Sequence, residues 1–292
     1  MALFFNQLIN GVHVGSIYAL IALGYTMVYG IVKLINFAHG DILMVGAYTI
    51  VVMVNMLGLH PVLSIAISVL MCILFGVVIE WVAYRPLRAS PKISSLITAI
   101  GVSMLLQNVA LLIFSPTPKP YPIQVNVAPL QFWEIQISFT TLLTFVVSVV
   151  LMVLLQGFVI SSKAGKSMRA VSEDTDAAML MGINVNHTIT MTFAVGCALA
   201  AVGSLLYCMA YPAVSPTLGS LPGVKAFIAA VLGGIGMIPG AMLGGFILGI
   251  AESLTKGYIS SQMSDAVVYG ILIIVLLFKP AGLLGIGIRE KV

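Results

Sequence analysis

Long apolar stretches, separated by short polar or proline-containing segments, fill almost the whole chain. A helix needs about 20 apolar residues to cross roughly 30 Å of hydrocarbon. The pattern predicts eight or nine such helices, over residues 7–32, 42–57, 62–83, 93–114, 137–160, 188–211, 223–238, 241–257 and 266–278. Those at 42–57, 223–238 and 266–278 are short enough to be tilted, broken or re-entrant. The predicted fold is an all-α, polytopic transmembrane bundle that forms one domain over residues 1–292.

Composition supports a membrane location. The chain is 60% hydrophobic and only 8% charged, whereas soluble globular domains carry about 25% charged residues. The net charge is +4, but the basic residues lie at the ends of apolar runs and form no patch with interleaved aromatic residues, so nucleic acid is not an expected partner. Lipid is therefore the expected main solvent.

The basic residues also predict an orientation, because Lys and Arg are retained on the cytoplasmic side of a membrane. They cluster at three places, which are the loop at 85–92, the loop after residue 160 and the C-terminal tail with Lys279, Arg289 and Lys291. Alternation then places the loop at 115–136 outside, in the periplasm if the membrane is a bacterial inner membrane, and the C-terminus in the cytoplasm. The N-terminus lies outside if the first sixty residues cross twice, and inside if 33–57 is re-entrant.

The segment KLINFAHGD, residues 33–41, places polar groups between two apolar runs. Such groups cost at least ~2.5–3.5 kcal/mol each at membrane depth, so they tend to face a bundle interior or a watery cavity. Two interpretations remain open. The segment is an inner loop in which Lys33 anchors the chain and Asp41 begins a helix, or Asn36, His39 and Asp41 line a discontinuous helix at the mouth of a translocation path.

Two further ionisable residues lie in apolar segments. Glu252 and Lys225 are candidates for the same path, because ionisable residues within membrane segments are commonly functional. A structural ion pair or a position at the membrane interface explains them equally well. Glu80 and Arg85 lie near a helix end, where long side chains reach the headgroups, and are assigned a structural role.

The glycine-rich segment GGIGMIPGAMLGGFILG, residues 233–249, has Gly236, Gly240 and Gly244 at four-residue spacing. Small residues at this spacing let helix backbones approach closely in lipid. Pro239 interrupts helical hydrogen bonding, and the freed backbone groups need protein or water as partners. The segment therefore predicts either helix packing or a broken helix beside a pathway.

The longest polar interruption on the predicted inner side is residues 161–186. Its basic residues recur every three positions, which places Lys163, Lys166 and Arg169 on one face of a helix. A second, short amphipathic helix is expected to follow, with Ser172 as N-cap, acids in its first turn (Glu173, Asp174 and Asp176), and Gly182 as its C-terminal stop. Three acids disfavour docking to an anionic lipid surface and favour a protein partner with complementary charge.

Enzymatic and metal chemistry have no local signature. No G-x-S-x-G nucleophile segment is present, and the four histidines are widely spaced without an H-E-x-x-H pattern, so no metal site is expected. The three cysteines form no C-x-x-C pair. No G-x-x-x-x-G-K-[ST] phosphate loop is present either, so the chain has no local signature of a nucleotide-binding site.

Four stretches carry a resemblance to a known family. They are GSIYALIALGYTMVYGIVKLINFAHGD at 15–41, WVAYRPLR at 81–88, GKSMRA with MGIN within 165–184, and KAFIAAVLGGIGMIPGAMLGGFILGIAES at 225–253. Over nearly its whole length the chain resembles the LivH-type permease subunits of bacterial ATP-binding-cassette importers for branched-chain amino acids. Related permeases for other amino acids, amides and urea share these motifs.

The resemblance implies a non-catalytic permease domain in the bacterial inner membrane that binds no cofactor itself. It implies a second homologous permease subunit, two cytoplasmic ATPase subunits that bind ATP and Mg, and a periplasmic substrate-binding protein. In this family the loop at 161–186 carries the coupling helix, so the residues expected to contact an ATPase are Gly165, Arg169, Glu173, Asp174 and Gly182. The alternatives are an ion-coupled secondary amino acid transporter that uses Asp41 or Glu252, and a structural membrane scaffold.

Overall fold

The computed structural model describes residues 2–88, 90–125, 127–132 and 135–285. Within these ranges the chain forms eleven α-helices. They are α1 (Ala2–Val32), α2 (His39–Val51), α3 (Pro61–Ile79), α4 (Lys92–Phe114), α5 (Phe139–Ser161), α6 (Lys163–Glu173), α7 (Thr175–Leu180), α8 (Val185–Ala210), α9 (Ser220–Gly233), α10 (Ile238–Tyr258) and α11 (Ser264–Phe278). A π-helical turn, Val52–Met56, continues α2, and another, Glu80–Tyr84, continues α3 into the short 3-10 turn Arg85–Leu87.

The described strands are very short. They are β1 (Lys119–Pro120), β2 (Leu130–Phe132), β3 (Ile135–Ile137) and β4 (Ala213–Val214). β1 pairs antiparallel with β4, and β2 pairs antiparallel with β3. The predicted all-α bundle is therefore confirmed, with these strands confined to connecting segments.

Each of the nine predicted membrane segments corresponds to a helix. Seven helices are long and apolar enough to cross a membrane, over Ala2–Val32, His39–Met56, Pro61–Leu87, Ile93–Phe114, Phe139–Ser161, Val185–Ala210 and Ile238–Tyr258. Two of the three segments predicted as short, α9 and α11, have 14 and 15 residues. The third is longer than predicted, because α2 already begins at His39 and its π-helical turn extends it to Met56.

Polar side chains at the starts of several helices supply hydrogen-bond acceptors that lipid cannot. Ser138 caps α5, Ser162 caps α6 and Asn184 caps α8, with the side-chain oxygen accepting from a backbone N–H two or three residues later. By contrast, α2 and α9 begin after Ala38 and Gly219 without a side-chain cap. These two helices start inside the bundle, as described below.

The connecting segments are divided between two ends of the bundle. At one end, the backbone N–H of Gln136 donates to Asn6 Oδ1 at 3.2 Å, so the start of α1 lies beside the loop at 115–136. At the other end, Tyr84 contacts the segment after α1 and Arg88 contacts Asn186 at the start of α8. The first sixty residues therefore cross the bundle twice. Arg289 and Lys291 of the basic tail lie outside the described residues.

Glycines set the distance between α10 and its neighbours. α10 runs antiparallel to α1, and Gly245 and Gly249 face the backbone of Ala19 and Gly15. Gly240 and Gly244 face α9, where an added Cβ would meet backbone atoms of Gly233 or Ala229. Gly236 is not on the helix, since it lies in the turn between α9 and α10 with a φ of +94°, and Pro239 occupies the first turn of α10. The segment thus contains both a helix break and a packing face.

Gly249→Ala is expected to destabilise the protein by about 1–3 kcal/mol, because the added methyl group overlaps the backbone of α1 and forces two packed helices apart. Gly101→Ala is the matched control. An added Cβ at Gly101, on α4, meets nothing within 4 Å, so this change should be neutral or stabilising by up to ~1 kcal/mol. Thermal unfolding of both purified variants in detergent measures the difference. Equal midpoints would contradict the proposed packing of α1 on α10.

Candidate translocation site and coupling surface

The polar segment between α1 and α2 is a helix break. Lys33, which follows α1, has a φ of +56°, and the chain is irregular up to Ala38. Asn36 is buried, and Tyr84 Oη donates to Asn36 Oδ1 at 3.0 Å and lies 3.3 Å from the Ile35 carbonyl oxygen. Asn36 therefore fixes the break to the end of α3.

His39 faces α1 and not an open cavity. Its ring is fully buried, lies edge-on to the Tyr25 ring with 4.7 Å between centroids, and occupies the space beside Gly24 that a larger residue would fill. The imidazole thus packs α2 against α1, and of the three polar candidates in this segment only Asp41 lines a substantial cavity.

A cavity of about 220 Å³ lies next to Asp41. This volume holds several water molecules, since each occupies about 30 Å³ in the liquid. Asp41 is 1% exposed, and its Oδ1 accepts from Gln107 Nε2 of α4 at 2.9 Å. The same nitrogen lies 3.2 Å from Ser103 Oγ and 3.2 Å from Ser220 Oγ. Apolar side chains complete the wall, among them Phe37, Ile100, Met104 and Val224.

Two helices begin at this cavity. Gly40 at the start of α2 lies against the start of α9, where an added Cβ would be 2.6 Å from the Gly219 carbonyl oxygen and 3.0 Å from Gly223 Cα. From there the helices diverge. α2 runs towards the end with the loop at 115–136, where Tyr48 stacks on Phe114, and α9 runs towards the opposite end. Helix N-termini carry partial positive charge, and broken helices of this kind line the substrate sites of many transporters.

Lys225 and Glu252 form a buried ion pair at 2.8 Å. Lys256 and Tyr18 also bind the Glu252 carboxylate, at 2.6 and 2.8 Å, and Asp265 binds Lys225 at 2.7 Å. This charge cluster joins α1, α9, α10 and α11. Of the interpretations left open for Lys225 and Glu252, the contacts favour a structural ion pair. The cluster also borders a cavity of about 380 Å³ at the end with the loop at 115–136.

The segment at 161–186 forms two helices, α6 and α7. Lys163, Lys166 and Arg169 all lie on α6, as expected. Gly165 packs against the end of α5, where an added Cβ would be 2.5 Å from the backbone of Val159.

The predicted N-cap of the second helix was wrong. Asp174 caps α7, accepting from the N–H groups of Asp176 and Ala177 at 2.9 and 3.0 Å. Ser172 lies within α6. Its hydroxyl donates to the Arg169 carbonyl oxygen three residues earlier, as serine side chains commonly do inside helices, and does not cap α7. Glu173 is consequently the last residue of α6. The predicted stop at Gly182 is confirmed by its φ of +81° directly after the C-cap of α7.

The end of α7 presents an apolar surface. Leu180 is 91% exposed, and Met179 and Met181 beside it are also exposed. They lie on the helix that directly follows α6, at the end of the bundle opposite the loop at 115–136. An exposed apolar group rimmed by charged residues is typical of a protein interaction surface.

The sequence interpretation missed a second buried ion pair. Glu80 is fully buried and pairs with Arg88, and Thr190 Oγ1 donates to its other oxygen at 2.7 Å. The expectation that Glu80 reaches the headgroups was therefore wrong, because α3 turns this side chain towards α8. Burial lowers the pKa of the Arg88 guanidinium, and the Glu80 carboxylate opposes that shift. Gln107 was also missed, although a lone amide in an apolar segment is itself a signal.

A polytopic helical bundle in which two broken helices begin at a largely apolar cavity with a buried carboxylate has the architecture of a membrane transport protein. Residues 7–276 match the family model described as branched-chain amino acid transport system / permease component. The chain is 44% identical to the high-affinity branched-chain amino acid transport system permease protein BraD of Pseudomonas aeruginosa, over 99% of this chain and 98% of that protein. It is 42% identical to LivH of Escherichia coli, with the same coverage.

A probable LivH of Methanocaldococcus jannaschii is 31% identical over 93% of this chain and 89% of that protein. No solved structure matches the chain. The chain belongs to the family of permease components of branched-chain amino acid transport systems. The resemblance inferred from the four sequence stretches is thereby confirmed.

Proposed function

We propose that this chain is an inner-membrane permease subunit of an ATP-binding-cassette importer, and that it forms the path for branched-chain amino acids. It pairs with a second homologous permease, and it receives substrate from a periplasmic binding protein at the end with the loop at 115–136. Two cytoplasmic ATPase subunits bind ATP and Mg and supply the energy. The chain itself is non-catalytic and binds no cofactor.

The observation that carries this proposal is the surface of α6 and α7. The exposed apolar end of α7 and the basic residues of α6 lie together at one end of the bundle, and a carrier driven by an ion gradient has no need of such a surface. The residues assigned to the ATPase contact are Gly165, Arg169, Glu173, Asp174 and Gly182, with Gly165 holding α6 against α5 and Asp174 and Gly182 setting the limits of α7.

The orientation follows from charge. Arg85, Arg88, Lys163, Lys166 and Arg169 lie at the end of the bundle that carries α6 and α7, and basic residues are retained in the cytoplasm. That end is therefore assigned to the cytoplasm, together with the C-terminal tail. The start of α1 and the loop at 115–136 then face the periplasm.

The path is assigned to the region where α2 and α9 begin. Asp41 lines the cavity there, Asn36 and His39 hold the break in position, and the Lys225–Glu252 pair fixes α9 to α10. Movement of the ATPase subunits, transmitted through α6 and α7, tilts the surrounding helices and opens the cavity alternately to each side.

Reconstitution of the chain with its partner subunits in liposomes tests the function. We expect uptake of radiolabelled leucine that requires both ATP and the ligand-loaded binding protein. The control replaces ATP by a sodium or proton gradient in liposomes that hold the permease subunits alone. Uptake driven by the ion gradient in the control liposomes would reject the ATP-driven mechanism in favour of a secondary transporter. If the complete reconstituted complex showed no ligand-dependent ATP hydrolysis, a structural scaffold would be favoured.

A further inference from the structure

We propose that the cavity at the starts of α2 and α9 recognises the zwitterionic head group of its substrate, with the Asp41 carboxylate binding the substrate ammonium group. This inference rests on the proposed function, and it adds a specificity site within the permease itself. The ligand class it defines is a free α-amino acid with an apolar side chain.

The first argument comes from the buried carboxylates. Three are buried among the described residues, those of Asp41, Glu80 and Glu252. Glu80 pairs with Arg88, and Glu252 pairs with two lysines. Within the same part of the chain, Asp41 makes no ion pair with any basic side chain. Buried charges are normally paired, so the structure leaves a place for one cation at Asp41.

The second argument is that Asp41 is both oriented and accessible to a ligand. Gln107 Nε2 has three oxygen neighbours within 3.2 Å, on Asp41, Ser103 and Ser220. An amide nitrogen carries only two protons, so it holds these groups in place without satisfying all their lone pairs. The remaining lone pairs border the cavity of about 220 Å³. An ammonium group, with three N–H donors, matches this set of acceptors.

The third argument concerns the other half of a zwitterion. The uncapped start of α9 faces the same cavity, and Ser220 adds a hydroxyl donor there. The partial positive charge of this helix N-terminus favours a carboxylate. Phe37, Ile100, Met104 and Val224 provide an apolar wall for the side chain.

The test measures direct binding of three probes to the full transporter complex in nanodiscs, by isothermal titration calorimetry. The probes are L-leucine, 3-methylbutylamine, which lacks the carboxylate, and 4-methylpentanoate, which lacks the ammonium group. Asp41→Asn preserves the shape of the side chain and removes its charge. We expect it to weaken leucine and the amine about tenfold or more, and not to weaken 4-methylpentanoate, which leaves the wild-type Asp41 carboxylate without a cation.

A matched pair on α4 provides a second test. Gln107→Met, which removes the orienting amide, should also weaken leucine binding. Asn108→Met alters the adjacent amide, which is exposed and donates to the Met104 carbonyl oxygen of its own helix at 2.7 Å, and should bind leucine like the wild type. Thermal unfolding of each variant verifies that it is folded.

Two results would overturn the inference. One is that Asp41→Asn weakens all three probes equally or none of them, and the other is that the wild type binds 4-methylpentanoate as tightly as leucine. Both are distinguishable from failure of the proposed function. A complex that transports leucine with ATP but ignores the Asp41 charge disproves only this site, whereas a complex without ATP-dependent uptake disproves the proposed function.

Discussion

Glu252→Ala is expected to lose about 3–5 kcal/mol of stability, the usual cost of removing one partner from a buried ion pair. Glu252 is 2% exposed and binds Lys225, Lys256 and Tyr18. Without its carboxylate, the buried Lys225 ammonium keeps Asp265 alone as an anionic partner within the described part of the chain, and α9 loses this polar connection to α10. The measurement is the thermal unfolding midpoint of the purified protein in detergent, together with the yield of folded protein from membranes.

The environment of Asp265 makes it the natural control. Asp265 binds the same lysine, but its side chain is 46% exposed, so water can replace it and Asp265→Ala should cost no more than about 1 kcal/mol. The double variant Lys225→Met/Glu252→Gln removes both buried charges at similar volume and should recover much of the lost stability. If Glu252→Ala and Asp265→Ala lowered the unfolding midpoint equally, the contribution of each carboxylate to stability would not depend on its burial, and the argument for the buried pair would fail.

The helices could be predicted from the sequence because their signal is local. A run of about twenty apolar residues is typical of a membrane-spanning helix. This length alone predicts the positions of α1, α3, α4, α5 and α8. The boundary at α2 is harder, since His39 and Asp41 are polar and were counted with the preceding loop. They enter the helix because the bundle supplies their surroundings, Tyr25 for the imidazole and Gln107 for the carboxylate.

The partners of polar residues could not be predicted, because they come from distant parts of the chain. Asp41 and Gln107 are 66 positions apart, and Glu80 and Thr190 are 110 apart. In each pair the two residues lie on different helical segments, so no local sequence pattern connects them. Even a local choice was ambiguous at the start of α7, where Ser172 and Asp174 are both good N-cap residues. The backbone becomes extended at Asp174, and only there can a side chain accept from two N–H groups.

Leu180→Asp is expected to abolish most ATP-dependent uptake while leaving the permease folded. Leu180 is almost fully exposed in the chain, so the change removes no internal packing and should leave the unfolding midpoint unaltered. In the proposed complex the same side chain enters a groove on an ATPase subunit. A carboxylate buried there without a partner costs at least about 2 kcal/mol, or roughly thirtyfold in affinity. Co-purification of the ATPase subunits and leucine uptake in liposomes measure the effect.

A second substitution at Leu180 distinguishes loss of the ATPase contact from a general effect of mutating this residue. Leu180→Met keeps an apolar side chain of similar volume and should retain both ATPase binding and uptake, since such exchanges are well tolerated in packed sites. Asp174→Ala acts by another route, because it removes the cap of α7 and should weaken coupling by destabilising the helix that carries Leu180, by about 1 kcal/mol. Wild-type uptake by Leu180→Asp would exclude the end of α7 from the ATPase interface and leave the basic face of α6 as the contact.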